Sequence, residues 1–126
     1  MAKPILCLDF DGVIHSYASG WLGATAIPDP PVHGALGFLR MAVEHFTVAI
    51  YSSRSGQPGG VEAMKAWLEA CVADETGACP NWILGLVWPT SKPPAFVTID
   101  DRAITFTGAW PSMEELHGFR PWNKKA

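Results

Sequence analysis

Residues 4–12 read PILCLDFDG, and this stretch decides the fold. It is short and almost wholly apolar, and it closes on Asp11 and Gly12, a pair typical of tight turns. An apolar run of this length that ends in a turn is typical of a strand buried on both faces. Such strands occur mainly in parallel sheets that are covered by helices on both sides. The stretch therefore predicts the first strand of an α/β sheet.

Segments typical of helices and of strands alternate after this first strand. An apolar stripe at helical spacing runs from Val32 to Val43 and precedes the β-branched run TVAIY at residues 47–51. A second apolar stripe predicts a helix over residues 61–75 that stops before Gly77. The alternation indicates a three-layer Rossmann-like fold with a mostly parallel central sheet, in which ligands bind at the carboxyl ends of the strands.

The second half of the chain continues the same pattern in shorter pieces. Three more strands are predicted, at residues 82–88 (WILGLVW), 96–100 (FVTID) and 103–106 (AITF). Ser112 and Glu115 form an S-x-x-E capping box, which predicts a last short helix over residues 113–116. Residues 120–126 form a basic tail that we expect to be frayed.

Composition places residues 1–126 in one domain. With 48% apolar and 17% charged residues, a chain of 126 residues can bury an ordinary core but is too short for a second domain. Its net charge of −3 excludes the summed positive field that drives non-specific binding to nucleic acids or anionic membranes. The three cysteines form no CxxC pair, and no apolar run is long enough for a signal peptide or a membrane span. We therefore expect a cytoplasmic protein.

One long segment lacks any regular pattern. Residues 13–31 are rich in Gly and Pro, which predicts a flap made of turns. The flap carries His15, Tyr17 and Trp21, and these side chains are expected either to pack over the core or to stack on a nucleic-acid base.

Six chemistry-bearing residues fall on one edge of the predicted sheet, at or near strand ends: Asp9, Asp11, Ser52, Lys92, Asp100 and Asp101. Carboxylates crowded into a partly desolvated crevice repel one another unless a cation neutralises them. Carboxylate oxygens are also the ligands that Mg²⁺ prefers. This edge therefore predicts a site for a hard divalent metal.

The order of these residues resembles motifs one to four of the haloacid dehalogenase (HAD) superfamily of phosphohydrolases. DFDGV follows an apolar strand, a Ser follows a second strand, and a Lys and then IDD come later, so that the match spans residues 5–101. The resemblance implies a Mg²⁺-dependent hydrolase that acts on phosphomonoesters through an aspartyl-phosphate.

Carried over by residue, the resemblance implies that Asp9 is the nucleophile and a metal ligand. Asp11 would be the general acid and base, with its backbone carbonyl completing the metal shell. Ser52 would hydrogen-bond a phosphoryl oxygen, and Lys92 would offset charge during transfer. Asp100 would hold the metal. Asp101 has three open roles, since it could bind the metal directly, bind it through water, or orient Lys92.

Four neighbouring residues are candidates for substrate binding: Gly12, Ser53, Arg54 and Arg102. Gly12 permits a sharp turn that brings backbone N–H groups towards a phosphate. Ser53 is the alternative to Ser52, although strand alternation favours Ser52. Arg54 and Arg102 are expected either to grip a second anionic group or to form ordinary ion pairs.

The spacing of the motifs leaves no room for a cap domain, so the chain resembles the capless members of the superfamily, which tend to act on macromolecules. The tetrad IDDR at residues 99–102 is similar to the phosphatase half of polynucleotide kinase-phosphatases. The expected partner is therefore a phosphorylated substrate, either a nucleic-acid end or another large molecule, with no membrane involved.

Three alternatives stay open. The first is a phosphatase of small metabolites or nucleotides. The second is a receiver-like module, which also combines acidic residues, a hydroxyl and a Lys, although its acidic pair comes first in the chain and here IDD follows the Lys. The third is a site that only binds phosphate and Mg²⁺.

Overall fold

The computed structural model describes residues 2–124. Six regular elements follow one another: β1 Ile5–Leu8, α1 Ala35–His45, β2 Thr47–Ile50, α2 Gly60–Thr76, β3 Val97–Ile99 and α3 Met113–His117. Two short 3₁₀ helices cover Asn81–Gly85 and Trp122–Lys124. The chain is thus a mixed α/β protein, as its sequence predicted.

The three strands form one parallel sheet in the order β2-β1-β3. Strand β1 is central, with Leu8 paired to Ile50 on one side and to Ile99 on the other. A single bridge between Ala49 and Val87 extends the sheet beyond β2. Since the central strand is the stretch that ends in DFDG, all three carboxyl ends meet beside that motif.

The core forms where the helices bury their apolar stripes against the sheet. Leu39 of α1 and Met64 and Leu68 of α2 have no exposed surface, and neither do Val48 and Ile50 of β2. These positions recur at helical spacing in the helices and at every second residue in the strand, because the two elements repeat their faces with periods of 3.6 and 2. Both helices and the first two strands are therefore where the hydrophobic pattern predicted them.

Two of the predicted strands are wrong. Residues 82–88 begin as the 3₁₀ helix Asn81–Gly85 and contribute only the bridge at Val87. The buried residues of this segment are Ile83 and Leu86, and their separation of three matches a 3₁₀ turn rather than a strand. Residues 103–106 form no strand either, since Ile104 and Phe106 are exposed and gain no burial that would hold them against a neighbouring strand.

Helix ends agree with the local sequence signals. Helix α1 begins at Ala35, after the left-handed Gly34, so Val32 lies before the helix rather than on its stripe. Helix α2 ends at Gly77, whose φ of 77° is the left-handed conformation that favours glycine at this position. The Ser112 hydroxyl accepts a hydrogen bond from the Glu115 N–H at 3.0 Å, which confirms the N-terminal cap of α3. None of the described helices is both long and apolar enough to cross a membrane.

Gly60 provides a test of how tightly α2 is seated against the loop that follows β2. A Cβ at this position would overlap the carbonyl group of Arg54, whereas a Cβ at Gly37 of α1 would meet nothing within 4 Å. We expect Gly60→Ala to lower the free energy of unfolding by about 1–3 kcal/mol, as overpacking does. Gly37→Ala, the matched control, should be neutral or raise it by about 0.5–1 kcal/mol. Urea denaturation of both variants measures the difference, and equal effects would contradict the tight seating.

Candidate active site

Three carboxylates converge where β1 and β3 end. Leu8 pairs with Ile99, so Asp9 and Asp100, the next residues, lie side by side, and the Asp9 N–H donates to the Ile99 carbonyl at 3.0 Å. One carboxylate oxygen from each of Asp9, Asp100 and Asp101 lies within 4.8 Å of the other two. The parallel register thus brings together three of the four predicted metal ligands.

The cluster carries negative charge that no described cation balances. Burial, a hydrogen bond with Asp101 and the nearby charge of Asp100 raise the pKa of Asp9 to about 8. The Oδ1 atom of Asp101 is buried and has no hydrogen-bond partner among the described residues. A set of oxygen donors with an orphaned buried carboxylate oxygen is the environment that a hard divalent cation suits. The residues present therefore fit a Mg²⁺ ion.

Gly12 is packed against this cluster from the other side. Its φ is 84°, and the space that a Cβ would fill is taken by the Asp101 carboxylate. Its N–H donates to the His15 carbonyl at 2.8 Å and is therefore already engaged within the turn. The requirement for glycine here comes from the left-handed backbone and the close approach of Asp101.

Asp11 points into a different environment from its three neighbours. Its two carboxylate oxygens accept hydrogen bonds from His15 Nδ1 and from Arg54 Nε, both at 2.9 Å. Burial raises the pKa of Asp11, but the hydrogen bonds from His15 and Arg54 outweigh it and lower the pKa below its ordinary value. The side chain of the fourth predicted metal ligand is thus already paired with protein groups, and only its backbone carbonyl is left for the metal role that the resemblance implied.

His15 orients Asp11. The ring is wholly buried, and its Nε2 accepts a hydrogen bond from the Asp29 N–H at 3.1 Å. Because Nε2 is an acceptor, the ring proton lies on Nδ1 and is donated to Asp11. From the sequence, His15 was predicted only to pack over the core or to stack on a base. The spacing of four residues from Asp11, across a glycine turn, is the signal that could have paired the two.

Arg54 joins the flap to the end of β2. Its side chain has no exposed surface, and its Nη1 donates to the carbonyls of Gly23, Ala24 and Ala26 at 2.9–3.1 Å. The guanidinium also lies 4.8 Å from the Trp21 ring centre, and its Nη2 atom is buried without a described partner. Of the two roles predicted for Arg54, the ion pair is the one present, and this pair is made with Asp11.

The two serines at the end of β2 differ in burial. Ser52 is buried, and its Oγ accepts a hydrogen bond from the Arg54 N–H at 2.9 Å, which leaves its own proton free to be donated. Ser53 is exposed. The Tyr51 N–H donates to the Leu8 carbonyl, so this end of β2 lies beside the residue that precedes Asp9. Ser52 is therefore the better placed of the two candidates.

The remaining cations of the predicted site are on the surface. Lys92 is exposed in the loop before β3 and forms no ion pair with a carboxylate in residues 2–124. Burial, Asp9 and Asp100 raise the pKa of Cys7. Lys92 lies near enough to the sheet to offset part of that rise. The side chain of Arg102 is also exposed, while its N–H donates to Asp100 Oδ1 at 2.8 Å and so orients that carboxylate.

The end of the chain is bonded to the turn of the DFDG motif. The Trp122 indole N–H donates to the Gly12 carbonyl at 2.7 Å, and the Asn123 amide donates to the Ser16 carbonyl at 3.2 Å. Pro121 is buried. The expectation of a frayed tail is therefore wrong for residues 121–124, while residues 125 and 126 lie outside the described part. Contacts across more than 100 residues leave no local pattern in the sequence.

Comparison with protein-family models, with curated proteins and with solved structures finds no match to this chain. Any inference about its chemistry therefore rests on the geometry of the site.

The raised pKa of Asp9 predicts a stability that depends on pH. The folded protein holds a proton at Asp9 up to about pH 8, whereas the unfolded chain loses it near pH 3.8, the ordinary pKa of an aspartate side chain. Without a divalent cation, the free energy of unfolding should therefore fall as pH rises from about 4 to about 8. Asp9→Asn should remove this fall, and Mg²⁺ should raise Tm more at pH 8 than at pH 5. Denaturant titrations between about pH 4 and pH 8 measure this fall in the free energy of unfolding.

The matched control is Asp74→Asn, which changes an exposed carboxylate on α2. It should leave the pH dependence of the wild type in place. An unchanged pH dependence in Asp9→Asn would show that the cluster does not hold the proton.

Proposed function

We propose that this chain is a capless phosphomonoesterase of the HAD type, dependent on Mg²⁺ and acting through an aspartyl-phosphate. The observation that carries the proposal is the convergence of Asp9, Asp100 and Asp101 at the carboxyl ends of two adjacent parallel strands. That edge is where ligands bind in open α/β sheets. The three-layer Rossmann-like arrangement with a mostly parallel central sheet belongs to the same proposal.

In the first step, an oxygen of Asp9 attacks the phosphorus while the bond to the leaving oxygen breaks. Asp9 must be ionised for this attack, yet burial and its acidic neighbours raise its pKa to about 8. A Mg²⁺ ion held by Asp9, Asp100 and Asp101 would favour the ionised carboxylate and screen its approach to an anionic phosphate. Ser52 would donate its free proton to a phosphoryl oxygen, and Lys92 would move in from the surface loop to offset charge.

In the second step, water attacks the phosphorus and the bond to Asp9 breaks, with Asp11 accepting the proton of the water. The pairing of Asp11 with Arg54 and His15 suits this step, because it keeps the carboxylate ionised. Donating a proton to the leaving group in the first step requires one of these two bonds to loosen. Since Arg54 also holds the flap, a flap movement would release Asp11 and open the site together.

The openness of the site favours one class of substrate. Lys92, Asp100 and Arg102 are exposed, and the flap at residues 13–31 is the segment tied to Asp11 through Arg54. An open site grips a small metabolite mainly by its phosphate, whereas a large substrate adds contacts along the edge. A nucleic-acid end or another large phosphorylated molecule is therefore the proposed substrate, and Arg102 is the exposed cation best placed to contact it.

Phosphatase assays with and without Mg²⁺ test the proposed reaction. We expect hydrolysis of p-nitrophenyl phosphate that EDTA abolishes, and no turnover by Asp9→Asn, because an amide is a poor nucleophile and a poor metal ligand. Asp74→Asn should retain wild-type activity. Full activity in EDTA, or an Asp9→Asn variant as active as the wild type, would exclude the mechanism.

The same assay tests the proposed substrate class. Oligonucleotides phosphorylated at the 3′ or 5′ end should be hydrolysed with higher kcat/KM than sugar phosphates or nucleotides. The reverse order would mean that the flap acts as a small cap over small metabolites.

The proton role of Asp11 predicts a dependence on the leaving group. p-Nitrophenolate departs without a proton, whereas an alkoxide does not, so Asp11→Asn should slow an alkyl phosphate more than p-nitrophenyl phosphate. For the alkyl ester the loss should be about 10²–10⁴-fold. Mg²⁺ affinity, measured by thermal shift, should change little, because the side chain of Asp11 is paired with His15 and Arg54. Equal losses for the two esters would argue against a proton donor.

A further inference from the structure

The last third of the chain contributes almost nothing to the core. Between Leu86 and Pro121 no residue is buried, although this segment includes β3. Val97, Thr98 and Ile99 are exposed on both faces of the sheet, with exposed fractions of 45% at Val97 and 41% at Ile99. Strands of parallel sheets are normally covered on both faces. An apolar parallel strand left bare on both faces needs a cover.

The same segment concentrates exposed apolar surface. Nine of the fifteen large apolar side chains that are exposed in the described residues lie between Phe96 and Trp122. Phe106 and Trp110 lie with ring centres 4.7 Å apart and ring planes tilted by 45°, along an open groove of about 890 Å³ lined also by Met113. We call the outer edge of β3 and these side chains the β3 surface. Exposed apolar side chains concentrated in one segment in this way indicate an interaction site.

The total exposed surface of the chain indicates how much area a covering partner would bury. The chain exposes 8019 Å², whereas a compact monomer of 13.6 kDa exposes about 6,600 Å². The excess, about 1,400 Å², exceeds the roughly 800 Å² per partner of a standard stable interface. One protein–protein interface would account for it.

We propose that a second copy of this chain covers the β3 surface. A two-fold axis at the outer edge of β3 pairs the two β3 strands antiparallel, because the rotation reverses the strand direction. The two three-stranded sheets then form one sheet of six strands. The order β2-β1-β3 leaves this edge of β3 without a strand partner in residues 2–124, so its backbone groups are available.

The edge is complementary to itself in one register. With Thr98 on the axis, Thr98 faces its own copy and Val97 faces Ile99, and both are favourable cross-strand pairs. Asp100 then faces Phe96, which keeps the carboxylates of the two copies apart. The net charge of −3 and the exposed Asp100 beside the strand disfavour a nucleic acid as the cover of this surface. A second copy therefore supplies a self-complementary strand for the open edge of β3.

The dimer is independent of the proposed catalysis, and its test measures mass rather than activity. By light scattering after size-exclusion chromatography, the full chain at micromolar concentration should have twice its mass of 13.6 kDa. Val97→Glu should yield the monomer, since it places a carboxylate beside Ile99 and near Asp100 of the other copy. Leu84→Glu, at a site 81% exposed in the 3₁₀ helix Asn81–Gly85, should remain a dimer.

A cross-link tests the register and does not depend on the folding of Val97→Glu. In a Cys7→Ala, Cys79→Ser background, which removes the thiol paired with Thr98 across the sheet and the exposed native thiol, Thr98→Cys should form a disulfide between two copies on mild oxidation. Met41→Cys, on the exposed face of α1, should not. A monomeric wild type, or equal cross-linking at the two positions, would overturn the proposal and assign the β3 surface to a different partner.

Discussion

The region around the site depends on the interactions of the buried Arg54 guanidinium. It bonds Asp11 in the DFDG turn and three carbonyls of the flap, while its own backbone carbonyl lies against Gly60 at the start of α2. The end of β2, the DFDG turn, the flap and α2 thus meet at one residue. Removing one partner of a buried ion pair typically costs about 3–5 kcal/mol, because the other charge is left uncompensated. The flap is therefore tied to the site by charge as well as by packing.

Charges at the sheet edge are divided into two groups by this arrangement. Burial raises the pKa of Asp11, but the hydrogen bonds from His15 and Arg54 outweigh it and lower the pKa. Asp9, Asp100 and Asp101 lie together, and burial, the hydrogen bond with Asp101 and the charge of Asp100 raise the pKa of Asp9. The surroundings thus shift the pKa values of two carboxylates, only two residues apart in sequence, in opposite directions.

The turn that carries these groups is restrained by two residues distant in sequence. The Trp122 indole bonds the Gly12 carbonyl, and the Asp101 carboxylate fills the space where any other residue at position 12 would place its Cβ. The turn is thus held by a tail residue above it and by a site residue beside it. Preorganised groups of this kind are what a site needs if it is to stabilise developing charge without reorganising.

Whether a feature could be predicted from the sequence depends on how far apart along the chain the interacting residues lie. Strands β1 and β2, both long helices and the cap at Ser112 were predictable, because apolar period and turn chemistry act over a few residues. The convergence of Asp9 with Asp100 was also predictable, since parallel strands end at one edge. The 3₁₀ helix at Asn81–Gly85 was not, because a short apolar run does not distinguish a strand from a turn when only two of its residues are buried.

By itself, the sequence determined the α/β class, the order of the motifs and the edge at which their acidic residues meet. Only the tertiary structure decided which partner each charged group has: Arg54 and His15 for Asp11, Asp101 for Asp9, and Trp122 for the turn at Gly12. The physical reason is that pairing depends on burial and on atomic distances between segments up to 110 residues apart. Local pattern records which face of an element is apolar, but it carries no information about which distant side chain will meet that face.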